Sequence, residues 1–139
     1  MTPFINCHGS FALRYAVVSG LSRQRARRTV KQSLDYVWRH PAAPDDSLTL
    51  LYQLLTQQGV PHKLIIFPAI DGDDGRIAQV LASLPLEIRQ AWCLSLWYHW
   101  PSARIGHVLG QDPLAVERFL THARHTFSTV LGDRQRENA

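Results

Sequence analysis

Apolar side chains recur at intervals of three and four residues along most of the chain, which is the spacing of one face of an α-helix. Residues 11–19 carry this pattern and stop at Gly20, and residues 22–40 carry it again. We predict that Ser22 caps the second helix and that Pro41 ends it, because the residue before a proline is pushed away from helical angles. Its apolar stripe is Ala26, Val30, Leu34, Val37 and Trp38.

A third helical pattern occupies residues 47–57, with Ser47 as the predicted N-cap. Its apolar face is Leu48, Leu51, Tyr52 and Leu55. Prolines, glycines and acids then break the pattern, so we predict a helical domain over residues 1–57 and a linker over residues 58–76. Because an exposed apolar run is a liability, we expect linker residues 63–70 to dock on one of the helical units.

Helical spacing resumes at Ile77 and continues through the rest of the chain. Pro85 is expected in the first turn of a helix, where its missing N–H costs nothing, and Pro101 follows the end of that helix. The side chains that we expect this helix to supply to a core are Ile88, Ala91, Trp92 and Leu96.

The remaining sequence outlines two helices around a glycine turn. Residues 103–109 form the first, Gly110 supplies the turn, and Asp112 with Pro113 signals the start of the second. The buried stripe of the last helix is predicted to be Val116, Leu120, Ala123 and Phe127. This outline fits a DNA-binding helix-turn-helix, and it also occurs in plain helical hairpins. The predicted fold is all-α, with two small helical domains and a helix-turn-helix in the second, residues 77–139.

Composition narrows the class of protein. The chain has 139 residues, of which 45% are hydrophobic and 19% charged. Its two cysteines, Cys7 and Cys93, show neither a disulfide framework nor a zinc spacing, and no segment reads as a signal peptide or a membrane span. These features predict a soluble cytoplasmic protein that has no membrane contact.

Signatures of catalysis are missing from the sequence. His122 and His125 lie one helical turn apart, but no carboxylate or cysteine completes a metal-ligand set at a convincing spacing. Ser, Cys and His nucleophile signatures are absent as well. We therefore expect no enzyme activity, no catalytic residue, no metal, no cofactor and no small-molecule substrate.

The net charge of +4 is concentrated near the start of the chain. Residues 1–41 hold seven Arg and Lys and a single acid, Asp35. A basic block favours a polyanion or an acidic protein face, although a short run of arginines is also typical of a solvated helix face.

Residues 81–124 resemble the C-terminal promoter-reading domain of bacterial sigma factors of the extracytoplasmic-function type. The positions in register with that family are Leu81, Leu84, Pro85, Arg89, Leu96, Ile105, Leu109, Gly110, Val116, Leu120, Ala123 and Arg124. The N-terminal part is similar to the family's polymerase-binding domain through Tyr15, Ala16, Gly20, Ala26, Val30, Trp38 and Arg39. The resemblance implies core RNA polymerase and promoter DNA as partners.

The surfaces with which that family binds are altered in this chain. Ala115, Glu117 and Phe119 replace a threonine, a lysine and a polar or basic residue, and Arg27-Arg28 replaces an acidic pair on the helix that grips the polymerase. We therefore expect a sigma-like regulatory module that binds a protein such as an anti-sigma factor, as the sigma-like domain of general-stress response regulators does. The alternative is a genuine divergent sigma factor that binds core RNA polymerase and promoter DNA to initiate transcription.

Two sets of candidate binding residues follow from this interpretation. The candidates for DNA binding are Arg104, Arg118, Thr121, His122, Arg124 and His125. The candidates for partner binding are Arg23, Arg25, Arg27, Arg28, Lys31 and Phe119.

Overall fold

A computed structural model of the protein describes residues 2–59, 80 and 83–137, with side chains for residues 8–59, 80 and 83–129. Six α-helices and no β-strand occur in these residues, so the predicted all-α fold is confirmed for this part of the chain. The helices are α1 (Thr2–Val18), α2 (Arg23–Arg39), α3 (Pro44–Gln57), α4 (Leu86–Tyr98), α5 (Ser102–Leu109) and α6 (Pro113–Glu137). The segment expected to dock, residues 63–70, lies outside the described residues.

The starts of α2 and α3 show how local sequence sets helix boundaries. Ser22 caps α2 as predicted, since its hydroxyl oxygen accepts a hydrogen bond from the backbone N–H of Arg25 at 3.3 Å. The predicted cap at Ser47 is wrong, because α3 begins at Pro44, one turn earlier. Proline is well suited to a first helical position, and the Ser47 hydroxyl instead donates to the backbone carbonyl of Ala42 at 3.4 Å.

Other helix ends also differ from the prediction. α1 begins at Thr2, well before residue 11, and the chain leaves it through Gly20 with a φ of 98°. Pro85 is the N-cap of α4 and not a first-turn residue. α4 ends because His99 adopts the left-handed conformation, with a φ of 54°, directly before Trp100.

One apolar core is shared by helices from both sides of the predicted linker. α1 and α3 pack against α4 and α5, respectively, while α6 packs against α4 and α5. Tyr52 contacts Tyr15 edge-on at a centroid distance of 5.0 Å and Trp100 at 5.8 Å. The members of this main core are Ala12, Tyr15, Ala16, Leu21, Ala26, Val30, Val37, Leu48, Leu51, Tyr52, Leu55, Ala91, Leu94, Trp100, Ile105, Val108, Val116 and Leu120. The division into two domains stays a prediction, whereas the sharing of this core is a property of the structure.

A second, smaller cluster lies against the middle of α6. It contains Val80, Leu84, Ala123 and Phe127, and the Trp92 ring stacks on Phe127 at a centroid distance of 5.1 Å. The predicted stripe of α6 is confirmed, because all four of its side chains are buried, two in each cluster. α6 therefore joins the two clusters along one helix face.

Two residues assigned to the core are exposed instead. Trp38 is 60% exposed and Leu96 57% exposed, so the prediction was wrong for both. Trp38 follows Val37 directly, and neighbouring side chains on a helix point about 100° apart, so the buried Val37 leaves Trp38 outside. Leu96 lies two positions after the buried Leu94, on nearly the opposite side of α4.

Candidate functional site

The outward face of α6 presents a shallow strip of side chains that is open to solvent, which we call the α6 groove. Its lining residues are spaced three and four apart, so they share one side of the helix, opposite the buried stripe. The lining consists of Leu114, Glu117, Arg118, Thr121, His122 and His125. The groove is a solvent-facing surface that mixes cationic, neutral polar and apolar groups with one carboxylate.

The turn between α5 and α6 fixes where this groove starts. Gly110 ends α5 in the left-handed conformation with a φ of 68°, and the N–H of Gln111 donates to the carbonyl of Gly106 at 2.8 Å. Asp112 then caps α6 as predicted, since its Oδ1 atom accepts from the N–H of Leu114 at 2.9 Å. The local sequence therefore defines the first exposed turn of α6.

Four of the six predicted DNA-binding residues meet in this groove: Arg118, Thr121, His122 and His125. Arg124 is exposed on the same helix but does not line the groove. The Thr121 hydroxyl donates to the backbone carbonyl of Glu117 at 2.9 Å, so in this arrangement its oxygen can only accept a further hydrogen bond. A phosphate contact from Thr121 would require that internal bond to break.

Arg104 has a different environment from the other five. Its Nη2 atom donates to the carbonyl of Asp45 at 3.0 Å and to the Thr49 hydroxyl at 3.1 Å, and its guanidinium lies 3.9 Å from the centroid of the Trp100 ring. These contacts join α5 to α3. The guanidinium thus links the N-terminal and C-terminal helices, and sequence spacing alone gave no signal of this.

We expect Arg104→Met to lower the free energy of unfolding by about 1–2 kcal/mol, because it removes the hydrogen bonds to α3 and the stacked cation while keeping most of the apolar stem. Urea denaturation followed by circular dichroism measures the change. Arg118→Met, on the exposed groove, is the matched control and should change stability by less than about 0.5 kcal/mol. Equal losses in the two variants would contradict a stabilising role for Arg104.

The basic residues predicted to bind a partner lie on α2 and are all exposed: Arg23, Arg25, Arg27, Arg28 and Lys31. None of them forms an ion pair with a side chain that the structure describes. The helix contains one acid, Asp35, so its outer surface carries a net positive charge. We refer to these five residues as the α2 basic face.

Phe119 and Trp38 exchange the roles that the sequence suggested for them. Phe119, predicted to anchor a partner, is only partly exposed and packs against the main core. Trp38, predicted to be buried, is exposed on α2, seven residues after Lys31 and therefore on the same side of the helix. Val37 and Trp38 are consecutive apolar residues at the edge of the stripe. Because neighbouring side chains on a helix point about 100° apart, one of the two must face solvent.

Buried polar groups occur where α4 meets α1. Gln90 Nε2 donates to the hydroxyl of Ser19 at 2.9 Å, and both side chains are buried. Burial raises the pKa of the Cys93 thiol to about 12, so this cysteine is neutral and a poor nucleophile near neutral pH. Burial lowers the pKa of the Arg89 guanidinium from its usual range.

Hydroxyl contacts connect α1, α3 and α4 inside the main core. The Tyr15 and Thr56 hydroxyls are 2.7 Å apart, as are those of Tyr52 and Tyr98. Burial raises the pKa of Tyr15 and Tyr52, so both phenols remain neutral hydrogen-bonding groups. They satisfy polar atoms in the core and offer no ionised group for chemistry.

The described side chains include no cluster of three or more His, Cys, Asp or Glu suited to a metal ion. Within the same part of the chain, no helix combines the length and apolarity needed to cross a bilayer. No protein-family model, curated protein or solved structure matches the chain.

Proposed function

We propose that this chain is a sigma-factor-like transcription-regulatory module that acts by binding, and that its α2 basic face receives an acidic protein such as an anti-sigma factor. The observation that carries the proposal is the α2 basic face itself, five exposed cations without an ion pair among the described side chains. Unpaired surface charge of one sign steers association with a surface of the opposite sign.

Trp38 supports a protein partner for this helix. An exposed tryptophan beside cations is typical of interface anchors, because it buries a large apolar area when a partner covers it. Trp38 lies on the side of α2 that also carries Arg27 and Lys31, since the three are spaced by four and seven residues. We expect the partner to present carboxylates around an apolar depression.

The test is a pull-down from the native cell with the full chain, its double variant Arg27→Glu/Arg28→Glu, and the exposed control Arg14→Glu. The expected result is an acidic protein that the wild type and the control retain, that high salt releases, and that the double variant loses. All three residues are exposed, so folding should be preserved. Stable retention of core RNA polymerase with promoter-dependent run-off transcripts would favour the alternative, a genuine divergent sigma factor.

A second candidate function is contact with DNA through α6. The groove supports it, because Arg118, His122 and His125 share one outward face directly after a capped helix start. Arg118 can hold a phosphate, with a contribution that falls as salt rises, and an imidazole N–H can donate a hydrogen bond to one. Glu117 opposes this role, since a carboxylate in the groove repels the DNA backbone.

If α6 lies on DNA, Glu117→Lys should raise the affinity for DNA several-fold at low salt. It should also steepen the slope of log affinity against log salt by about one unit, because a carboxylate that repels phosphate is replaced by an ammonium group that contacts it. Arg118→Ala should weaken binding to all sequences and flatten the same dependence. Fluorescence anisotropy with a labelled duplex over a range of salt concentrations measures both. An unchanged DNA affinity for Glu117→Lys would show that DNA does not bind at this face of α6.

A further inference from the structure

The five cations of the α2 basic face do not all lie on one line along the helix. Successive residues of an α-helix are rotated by about 100°, so residues four apart stay close to one line along its surface. Arg23, Arg27 and Lys31 have this spacing, and all three are exposed. Arg25 is turned away from their mean direction by about 160° and Arg28 by about 100°. Three of the five cations therefore form a row on one side of α2.

The row continues into apolar side chains towards the end of α2. Leu34 and Trp38 fall within the arc of about 80° that the three cations occupy on the helix circumference. Leu34 is half-buried against the main core, whereas Trp38 is mostly exposed. We call these five residues the α2 row: Arg23, Arg27, Lys31, Leu34 and Trp38. The α2 row is about 22 Å long, with positive charge over its first half and an apolar surface at its end.

Helix stability does not account for the cations of the α2 row. The helix dipole favours negative charge in the first turn, but the first turn of α2 contains Arg23 and Arg25 and no acid. Like charges four residues apart on a helix repel one another, as Arg23, Arg27 and Lys31 do. Asp35, the one acid of α2, forms no ion pair with a described side chain. This placement favours a binding role, because the carboxylates of a ligand would remove the repulsion.

We propose that the α2 row binds one acidic helix of a partner protein, which carries carboxylates at every fourth position followed by apolar side chains. Carboxylates four residues apart on a helix repeat at intervals of about 6 Å, and the three cations of the α2 row have the same repeat. The apolar side chains that follow cover Leu34 and Trp38, as in other pairs of amphipathic helices. This inference rests on the proposed function, and it narrows the acidic partner to a helix and the binding surface to one side of α2.

The experiment measures the binding of two labelled synthetic peptides to the full chain by fluorescence anisotropy. The matched peptide forms a helix with three glutamates four residues apart and two leucines at the spacing of Leu34 and Trp38. The scattered peptide has the same composition, with the glutamates distributed around the helix. The wild type should bind the matched peptide several-fold more tightly than the scattered one, because only the first aligns its carboxylates with the α2 row.

Variants of α2 show which side of the helix binds the matched peptide. Arg27→Glu should weaken its binding by about tenfold, and Trp38→Ala should weaken it several-fold. Arg25→Glu makes the same charge change two residues away, on the other side of α2, and should alter the affinity by less than about twofold at physiological salt. Asp35→Asn should strengthen binding slightly, because it removes the one acid beside Lys31. All four side chains are exposed, so the variants should fold, which far-ultraviolet circular dichroism checks.

Three results would overturn the proposal. The first is a matched peptide that does not bind, or that binds no better than the scattered one. The second is an equal loss of affinity in Arg25→Glu and Arg27→Glu, which would indicate a diffuse basic face and leave the proposed function standing. The third is tighter binding of a labelled oligothymidylate than of the matched peptide, with the same dependence on Arg27 and Trp38, which would assign the α2 row to single-stranded nucleic acid. The proposed function itself fails only if the Arg27→Glu/Arg28→Glu variant still retains the acidic protein in the pull-down.

Discussion

Gly106→Ala is expected to lower the free energy of unfolding by about 3 kcal/mol and the melting temperature by about 10 °C. A Cβ atom at Gly106 would overlap the backbone carbonyl oxygen of Gln111, in the turn between α5 and α6. The same turn is closed by the hydrogen bond from the Gln111 N–H to the Gly106 carbonyl. The backbone must therefore move apart at the place that sets the start of the α6 groove.

Gly110→Ala is the matched control for this prediction. Gly110 has the left-handed φ of 68°, but nothing lies within 4 Å of a Cβ atom there. Alanine at that position should cost about 1 kcal/mol, from backbone strain alone. Thermal melts of both variants, monitored by circular dichroism, separate the cost of the steric overlap at Gly106 from the cost of backbone strain at Gly110. If Gly106→Ala costs no more than Gly110→Ala, the close approach of α5 to the turn is not what stabilises this region.

Trp100→Ala should destabilise the protein by about 3–5 kcal/mol, the range for removing a large aromatic side chain from a core. The Trp100 ring stacks on Tyr98 at a centroid distance of 4.9 Å, meets Tyr52 edge-on, and carries the Arg104 guanidinium on its face. Its loss leaves a cavity where α3, α4 and α5 meet. It also removes the surface on which Arg104 rests.

Trp38→Ala removes the same kind of side chain from an exposed position, where it is 60% accessible. We expect a stability change within about 0.5 kcal/mol for this variant. Urea titrations measured by far-ultraviolet circular dichroism should show a single transition for both variants, because both ends of the chain share the main core. A Trp100→Ala protein with one half melted and the other intact would contradict that sharing.

Sequence periodicity predicted the helices well where one stripe of apolar residues stood alone. The stripes of α3 and α6 are buried as predicted, and the caps at Ser22 and Asp112 are in place. These features are local, since they depend on residues within one or two helical turns. Helix starts were less predictable, because α3 already begins at Pro44, about one turn before its apolar stripe, and the run His8-Gly9-Ser10 conceals the earlier start of α1 at Thr2.

Features that depend on distant contacts could not be read from spacing. Arg104 occupies a position that the apolar pattern of α5 assigns to the exposed side of the helix. Its guanidinium nevertheless donates hydrogen bonds to Asp45 and Thr49, more than fifty residues earlier in the chain. Burial of Arg89 follows from how α4 packs, and a helical wheel gives no reason to place a cation there. For the candidate groove, periodicity was sufficient to predict that Arg118 and His125 share one face, because a single helix supplies every lining residue.

The shared core has a consequence for the order in which the chain is made. The first 59 residues contain α1, α2 and α3, which pack on one another, but the faces of α1 and α3 that meet α4 and α5 are covered only by residues as late as Val108. At about 5–20 residues per second, a ribosome needs roughly 3–10 s to synthesise the intervening stretch. During that interval Tyr52 lacks Tyr98 and Trp100, so the nascent chain presents an apolar surface to which a chaperone can bind.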